Sequence, residues 1–222
     1  MTPRALGAEA IGTALLVATV VGSGIMAERL SGGSVALALL ANTLATGAIL
    51  VVLISILGPI SGAHFNPAVS LVMALRRALP WGSLAPYVLA QVLGGAAGAV
   101  LANLMFDLPA VTLSDTIRGG SGHLISETVA TATLIGAILG GLTFAPKAIP
   151  WLVGLTITAA YWFTASTSFA NPAVTLARTL SDTFAGIAPA SVPGFLIAEL
   201  AGALIGAALW GWLFAADTSR RT

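Results

Sequence analysis

Two copies of one tetrapeptide carry the most specific chemistry in the chain. They are Asn66-Pro67-Ala68-Val69 and, 105 residues later, Asn171-Pro172-Ala173-Val174. Proline is favoured at the first position of a helix, where its missing N–H costs nothing, and asparagine is a strong N-cap. Each copy therefore reads as a helix start whose end carries a partial positive charge of about +0.5. The asparagine amide also offers N–H donors to a passing oxygen. Such a site welcomes neutral hydroxyl-bearing solutes and repels cations, hydronium included. It breaks no bonds. No nucleophile–base pair or metal cluster stands out, and the absence of cysteine removes disulfides and thiolate metal sites. No enzyme activity, cofactor or metal is expected.

Three carboxyl groups, Glu9, Glu127 and Glu199, lie inside apolar runs. An unpaired carboxylate in lipid is costly, so each needs a role or a partner. Glu9 with Thr13 matches Glu127 with Thr131. Ala90-Gln91, with Gly94 and Gly98, matches Ala198-Glu199, with Gly202 and Gly206. Pairing to backbone donors is expected for Glu9 and Glu127. For Glu199 the expectation is a packing hydrogen bond, not contact with a solute. The glycine pairs mark helix faces that approach closely. His123 reads as interfacial.

The elements that must position these residues follow from composition. Of 222 residues, 57% are hydrophobic and only 8% charged, with a mean hydropathy of +0.99. Soluble domains carry about 25% charged residues. A net charge of +1 gives no argument for nucleic acid. Spanning a bilayer takes roughly 20 apolar residues, and in lipid such runs must be helical. Six spans are predicted: Ala5–Ala27, Ser34–Leu57, Leu84–Met105, His123–Leu142, Ile149–Ser168 and Val192–Ala215. The first starts almost at Met1 and carries Glu9; it is read as a span, not a removed leader. The segments Gly58–Leu75 and Ser166–Leu180 begin with breakers and stay apolar for about ten residues, roughly 15 Å of helix, half a hydrocarbon core. They read as re-entrant half-helices. Phe106–Gly122 reads as a linker between halves.

Three spans plus one half-helix thus occur twice within one domain, at about 5–105 and 123–215. Three is odd, so the second copy lies upside down relative to the first, and inverted repeats bring their special segments together near the midplane. With both termini inside, Arg4, Arg76, Arg77, Lys147, Arg220 and Arg221 are cytoplasmic, against Arg29, Arg118 and Arg178 outside. Trp81, Trp151, Trp210 and Trp212 then form an inner aromatic belt.

Ser61–Ser70, reading SGAHFNPAVS, closely resembles the first signature of the aquaporin (major intrinsic protein) family. Supporting matches are AEAIGTALLV at Ala8–Val17, Tyr87 with Ala90-Gln91 and Gly94, Glu127, and the second Asn-Pro-Ala. The resemblance covers nearly the whole chain. It implies an all-α membrane protein of six transmembrane helices plus two re-entrant half-helices, assembled as a homotetramer with one pore per subunit. It further implies a multi-pass protein of the inner membrane that passes small neutral solutes. Glu9 and Glu127 are implied to hold the loop backbones, with His64 near the inner pore.

The sequence departs from the family at the selectivity filter. Most aquaporins have arginine directly after the second Asn-Pro-Ala; here the residue is Val174. Arg178 lies one helical turn further, on a similar face. The second-span filter position is Thr46, where water-selective members usually have phenylalanine. The fifth-span position is Ala159 or Tyr161, depending on where a two-residue gap falls, and Ser168 is the loop position. Small side chains at Thr46 and Val174 imply a widened filter, which Tyr161 or Trp162 would partly refill. Filters of this kind resemble those of a bacterial minority linked to polyols and trivalent metalloid hydroxides. The expected solutes are glycerol-like polyols, arsenous acid and water. A water-selective pore and an ion-coupled secondary transporter are the alternatives.

Overall fold

The computed structural model describes residues 2–218, and side chains through Ala215. Its α-helices are α1 (Pro3–Leu30), α2 (Val35–Ser61), α3 (Pro67–Leu75), α4 (Trp81–Met105), α5 (Ser121–Phe144), α6 (Ile149–Phe163), α7 (Pro172–Ala177) and α8 (Val192–Thr218). No strand occurs among the described residues. Arg220 and Arg221 lie outside them.

Helix starts follow the local chemistry. Thr2 caps α1 by accepting from the Ala5 N–H, ahead of Pro3. Ser34 caps α2 by accepting from Leu37. At the other end α2 stops at Gly62, whose φ of +89° only glycine adopts cheaply, and whose N–H closes on the Gly58 carbonyl.

The long helices carry large apolar groups on both sides. The buried stripe of α1 holds Ala8, Glu9, Gly12 and Thr13 and then Leu16, Val17, Val20 and Val21, while Ile11 and Leu15 face outward. Leu89, Leu93, Leu155 and Ile197 are likewise exposed. Large apolar groups outside, with small and polar groups among those inside, suit a bundle bathed in lipid, where close backbone approach drives association. Gly94 and Gly98 press α4 onto Ala10 and Ala14 of α1. Gly202 and Gly206 press α8 onto Thr128 and Ala132 of α5. A methyl group at any of these glycines would run into that backbone. Gly47 and Gly154 meet similarly between α2 and α6.

Five helices (α1, α2, α4, α5 and α8) are long and apolar enough to cross a membrane. The expected fifth span, α6, is shorter than Ile149–Ser168: it has 15 residues and stops at Phe163. Thr164 is extended, and Thr167 and Ser168 have positive φ. These small, mostly hydroxyl-bearing residues leave the helix to form the second re-entrant loop. A short 3-10 turn, Pro146–Ala148, leads into α6.

Trp210 is half-buried: its Nε1–H donates to the Ala132 carbonyl at 2.9 Å and its ring stacks on Phe214. Trp81, Trp151 and Trp212 are exposed. The 106–122 segment is more than a linker. Thr112 and Ser114 N–H donate to the Leu180 and Thr179 carbonyls, and Arg118 donates to the Gly186 and Phe184 carbonyls. The joint is stitched onto the chain that follows α7.

Candidate pore and its lining

Helices α3 and α7 start from the two asparagines. Asn66 and Asn171 are extended, and each side-chain oxygen caps its own helix: Asn66 Oδ1 accepts from Ala68 N–H at 2.9 Å, Asn171 Oδ1 from Ala173 N–H at 3.0 Å. The amide nitrogens then cross over. Asn66 Nδ2 donates to the Ala170 carbonyl at 2.7 Å, and Asn171 Nδ2 to the Phe65 carbonyl at 2.8 Å. The half-helices thus meet end to end, tied by reciprocal bonds. Each amide has two N–H groups, so one remains for a guest.

The loops leading to the asparagines share an unusual backbone. Ala63 and Phe65 have φ of 50° and 49°; Ser168 and Ala170, each 105 residues later, have 52° and 49°. Left-handed non-glycine residues cost about 1–3 kcal/mol each and persist only when their surroundings hold them. Two fully buried carboxylates do the holding. Glu9 Oε1 accepts from Ser61 Oγ at 2.6 Å and His64 N–H at 2.9 Å; Oε2 accepts from Phe65 N–H at 2.7 Å and Gln91 Nε2 at 2.8 Å. Glu127 accepts from Phe169 N–H at 2.9 Å, Ala170 N–H at 2.7 Å and the Ser166 side chain. The carboxylates therefore bond the loops as the sequence led one to expect. Glu199 is fully buried too, and its Oε1 accepts from Asn171 N–H and Thr175 Oγ1.

One cavity of about 470 Å³ runs through this construction. His64, Ser83 and Tyr87 line one end, Asn66 and Asn171 the middle. Thr46, Tyr161, Ser168, Val174 and Arg178 line the other end. Leucine, isoleucine and valine from α1, α2, α5 and α6 complete an apolar wall. Of the two candidates on α6, Tyr161 faces the cavity and Ala159 is exposed on the outside of the bundle. Helix α6 turns the two residues, two positions apart, to opposite faces. Trp162 is exposed as well and does not refill the filter. Thr46 Oγ1 donates to the Asn42 carbonyl at 2.9 Å, which leaves it to accept from Tyr161 OH at 3.2 Å. That bond fixes the phenol in a cavity that Val174 also lines.

Arg178 is buried with 3% of its surface exposed. Its Nε donates to the Ala185 carbonyl and its guanidinium carbon sits 3.4 Å over the Phe169 ring. Arg118 approaches the same ring at 5.3 Å. Phe169 was not singled out from the sequence, although it occupies the place of His64 one repeat later. His64 Nδ1 meets Ser70 Oγ at 3.0 Å and its ring lies 5.5 Å from Tyr87.

A family model of the major intrinsic proteins matches residues 2–145. The chain belongs to the major intrinsic protein family. It is 62% identical over 206 residues to the aquaglyceroporin AqpS of Rhizobium meliloti (strain 1021), covering 93% of this chain and 88% of that one. It is 33% identical to aquaporin Z of Brucella melitensis, covering 96% of this chain and 98% of the relative. The X-ray structure of the aquaglyceroporin from Plasmodium falciparum superposes with a TM-score of 0.74 at 20% identity, covering 95% of each chain. Membership of this family, together with the apolar helices, makes the protein a multi-pass membrane channel.

Proposed function

We propose that the chain is a passive channel for small uncharged solutes, admitting glycerol-sized polyols and neutral metalloid hydroxides as well as water. The observation that carries this reading is Val174: it follows the second Asn-Pro-Ala and faces the cavity where most of the family places an arginine. Valine is shorter, and it removes five fixed N–H donors from the ring. Thr46 and Tyr161 keep one hydroxyl pair to replace part of a solute's hydration, each hydrogen bond being worth about 1 kcal/mol net. Width outweighs the lost donors, because steric exclusion costs more than one missing hydrogen bond. The 62% identical relative is named an aquaglyceroporin, which agrees with the polyol part of this reading.

Ion exclusion rests on the convergence of the two capped half-helices, whose free N–H groups and positive ends oppose cations. Arg178 adds a fixed charge at the filter end of the cavity, tethered to Phe169 and Ala185. The assembly fitting this fold is a homotetramer in the inner membrane with both termini cytoplasmic, each subunit a single domain of two inverted repeats at about 5–105 and 123–215. In that orientation Arg178 is external and His64 internal.

The test is stopped-flow uptake by proteoliposomes of glycerol, urea, arsenous acid and water. Val174→Arg is expected to cut glycerol and arsenous acid flux sharply and to spare water more. Arg178→Ala is expected to change flux little, since its guanidinium is drawn to the wall. Unaltered large-solute flux in Val174→Arg, or a pore opened by Arg178→Ala alone, overturns the filter assignment.

A further inference from the structure

The two loop supports differ in one atom that matters. Glu9 receives four donors: Ser61, His64 N–H, Phe65 N–H and Gln91 Nε2. Glu127 receives the counterparts of the first three kinds of contact, from Ser166, Phe169 N–H and Ala170 N–H. The fourth place belongs to the counterpart of Gln91, which is Glu199, and a bare carboxylate has nothing to donate.

The remaining contacts show which atoms correspond. Gln91 Nε2 also touches Ser70 Oγ at 2.9 Å, while Gln91 Oε1 is buried with no partner among the described residues. Glu199 Oε1 touches Thr175 Oγ1, the repeat counterpart of Ser70, while Glu199 Oε2 is the buried oxygen with no partner there. Glu199 Oε1 therefore takes the place of Gln91 Nε2, and the repeat sets it against Glu127 as Gln91 is set against Glu9. An oxygen in this position must carry a proton to make the same contact. Two ionised carboxylates side by side, away from water, would instead repel with no donor between them.

A second exchange is consistent with the first. Ser70 has His64 Nδ1 beside it, so its hydroxyl can donate there and accept from Gln91. The counterpart of His64 is Phe169, which offers no nitrogen. Thr175 is then free to donate to Glu199, as its contact requires. The pairs His64–Gln91 and Phe169–Glu199 are two internally consistent ways of filling the same polar site.

We propose that Glu199 is a positioning residue held as a neutral carboxylic acid, donating its proton to Glu127 and so fixing the second re-entrant loop as Gln91 fixes the first. The charged groups facing Glu199 are Glu127 on α5 and Arg178 beyond α7; α3, also packed on α8, brings none. The inference rests on the channel reading only for its functional consequence: Asn171 N–H donates to Glu199, so this side chain bears on an asparagine of the pore.

The experiment compares wild type with Glu199→Gln, reconstituted in lipid at neutral pH. The expected infrared result is a carboxylic acid C=O band in the wild type that shifts in D2O and is lost in the variant. The variant is expected to keep wild-type glycerol flux. A proton held in the folded state and released on unfolding makes stability fall as pH rises. Wild type is therefore expected to lose thermal stability towards alkaline pH more steeply than Glu199→Gln. An unchanged band overturns the proposal. So does a Glu199→Gln protein that fails to fold, because the amide is what the first copy uses at this point. If the band behaves as stated but neither protein passes glycerol, the channel reading fails and this assignment stands.

Discussion

The two re-entrant loops share a backbone and differ in side chains. Both run through left-handed residues at matching positions, both are held by a buried glutamate, and both end in an asparagine that caps its own helix and bonds the other loop. Yet the first is lined by His64 and Tyr87 and leads into nine residues of α3. The second carries Phe169 under two guanidiniums and leads into six residues of α7, continued by a 3-10 turn at Arg178–Leu180. The difference separates two jobs. The repeated parts meet at the middle of the cavity. The unrepeated parts line its two ends, and under the proposed function the end at Val174 selects solutes.

The largest expected effect breaks the shared part. Glu127→Ala leaves Phe169 and Ala170 N–H buried without an acceptor, at about 1–3 kcal/mol each, and removes what holds the left-handed backbone. The protein is expected to lose its monodisperse form in detergent, read by size exclusion and thermal unfolding. Glu9→Ala should do the same; a large difference between the two would break the equivalence. Next comes Val174→Arg, which acts at one mouth only. Its glycerol permeability is expected to drop about tenfold or more, equivalent to about 1.4 kcal/mol of added barrier, with the unfolding temperature little changed. The smallest effect is Tyr161→Phe. It removes the hydroxyl that meets Thr46, worth about 1 kcal/mol, so glycerol flux should change by roughly fivefold or less. A Tyr161→Phe effect as large as that of Val174→Arg would move the selecting contact from Val174 to the phenol.

Much of the symmetric part was legible in the sequence, because it depends on backbone chemistry that few residues supply. Asn-Pro at a helix start, glutamate in an apolar run and glycine at a four-residue spacing each have one economical explanation in lipid. Repetition at a fixed offset then fixed their partners. The asymmetric part was harder. Thr164–Ser168 holds no charge, glycine or proline to mark the end of a span, and only the backbone angles show it turning into the loop. The same shortening left Ala159 and Tyr161 undecided until the faces of α6 were known. Glu199 was read as ordinary packing because its meaning depends on a second exchange, Phe169 for His64, on another element.

The most direct test of the account is glycerol uptake by proteoliposomes, timed by light scattering, with and without an imposed proton or sodium gradient. Buried Glu9, Glu127 and Glu199 are the carboxyls a coupled transporter would use, and here they accept bonds from the loops or from α7. The expected result is one rate, unchanged by either gradient and absent from protein-free vesicles. A rate that rises with a gradient of either ion, or accumulation of glycerol above its outside concentration, would contradict a passive channel.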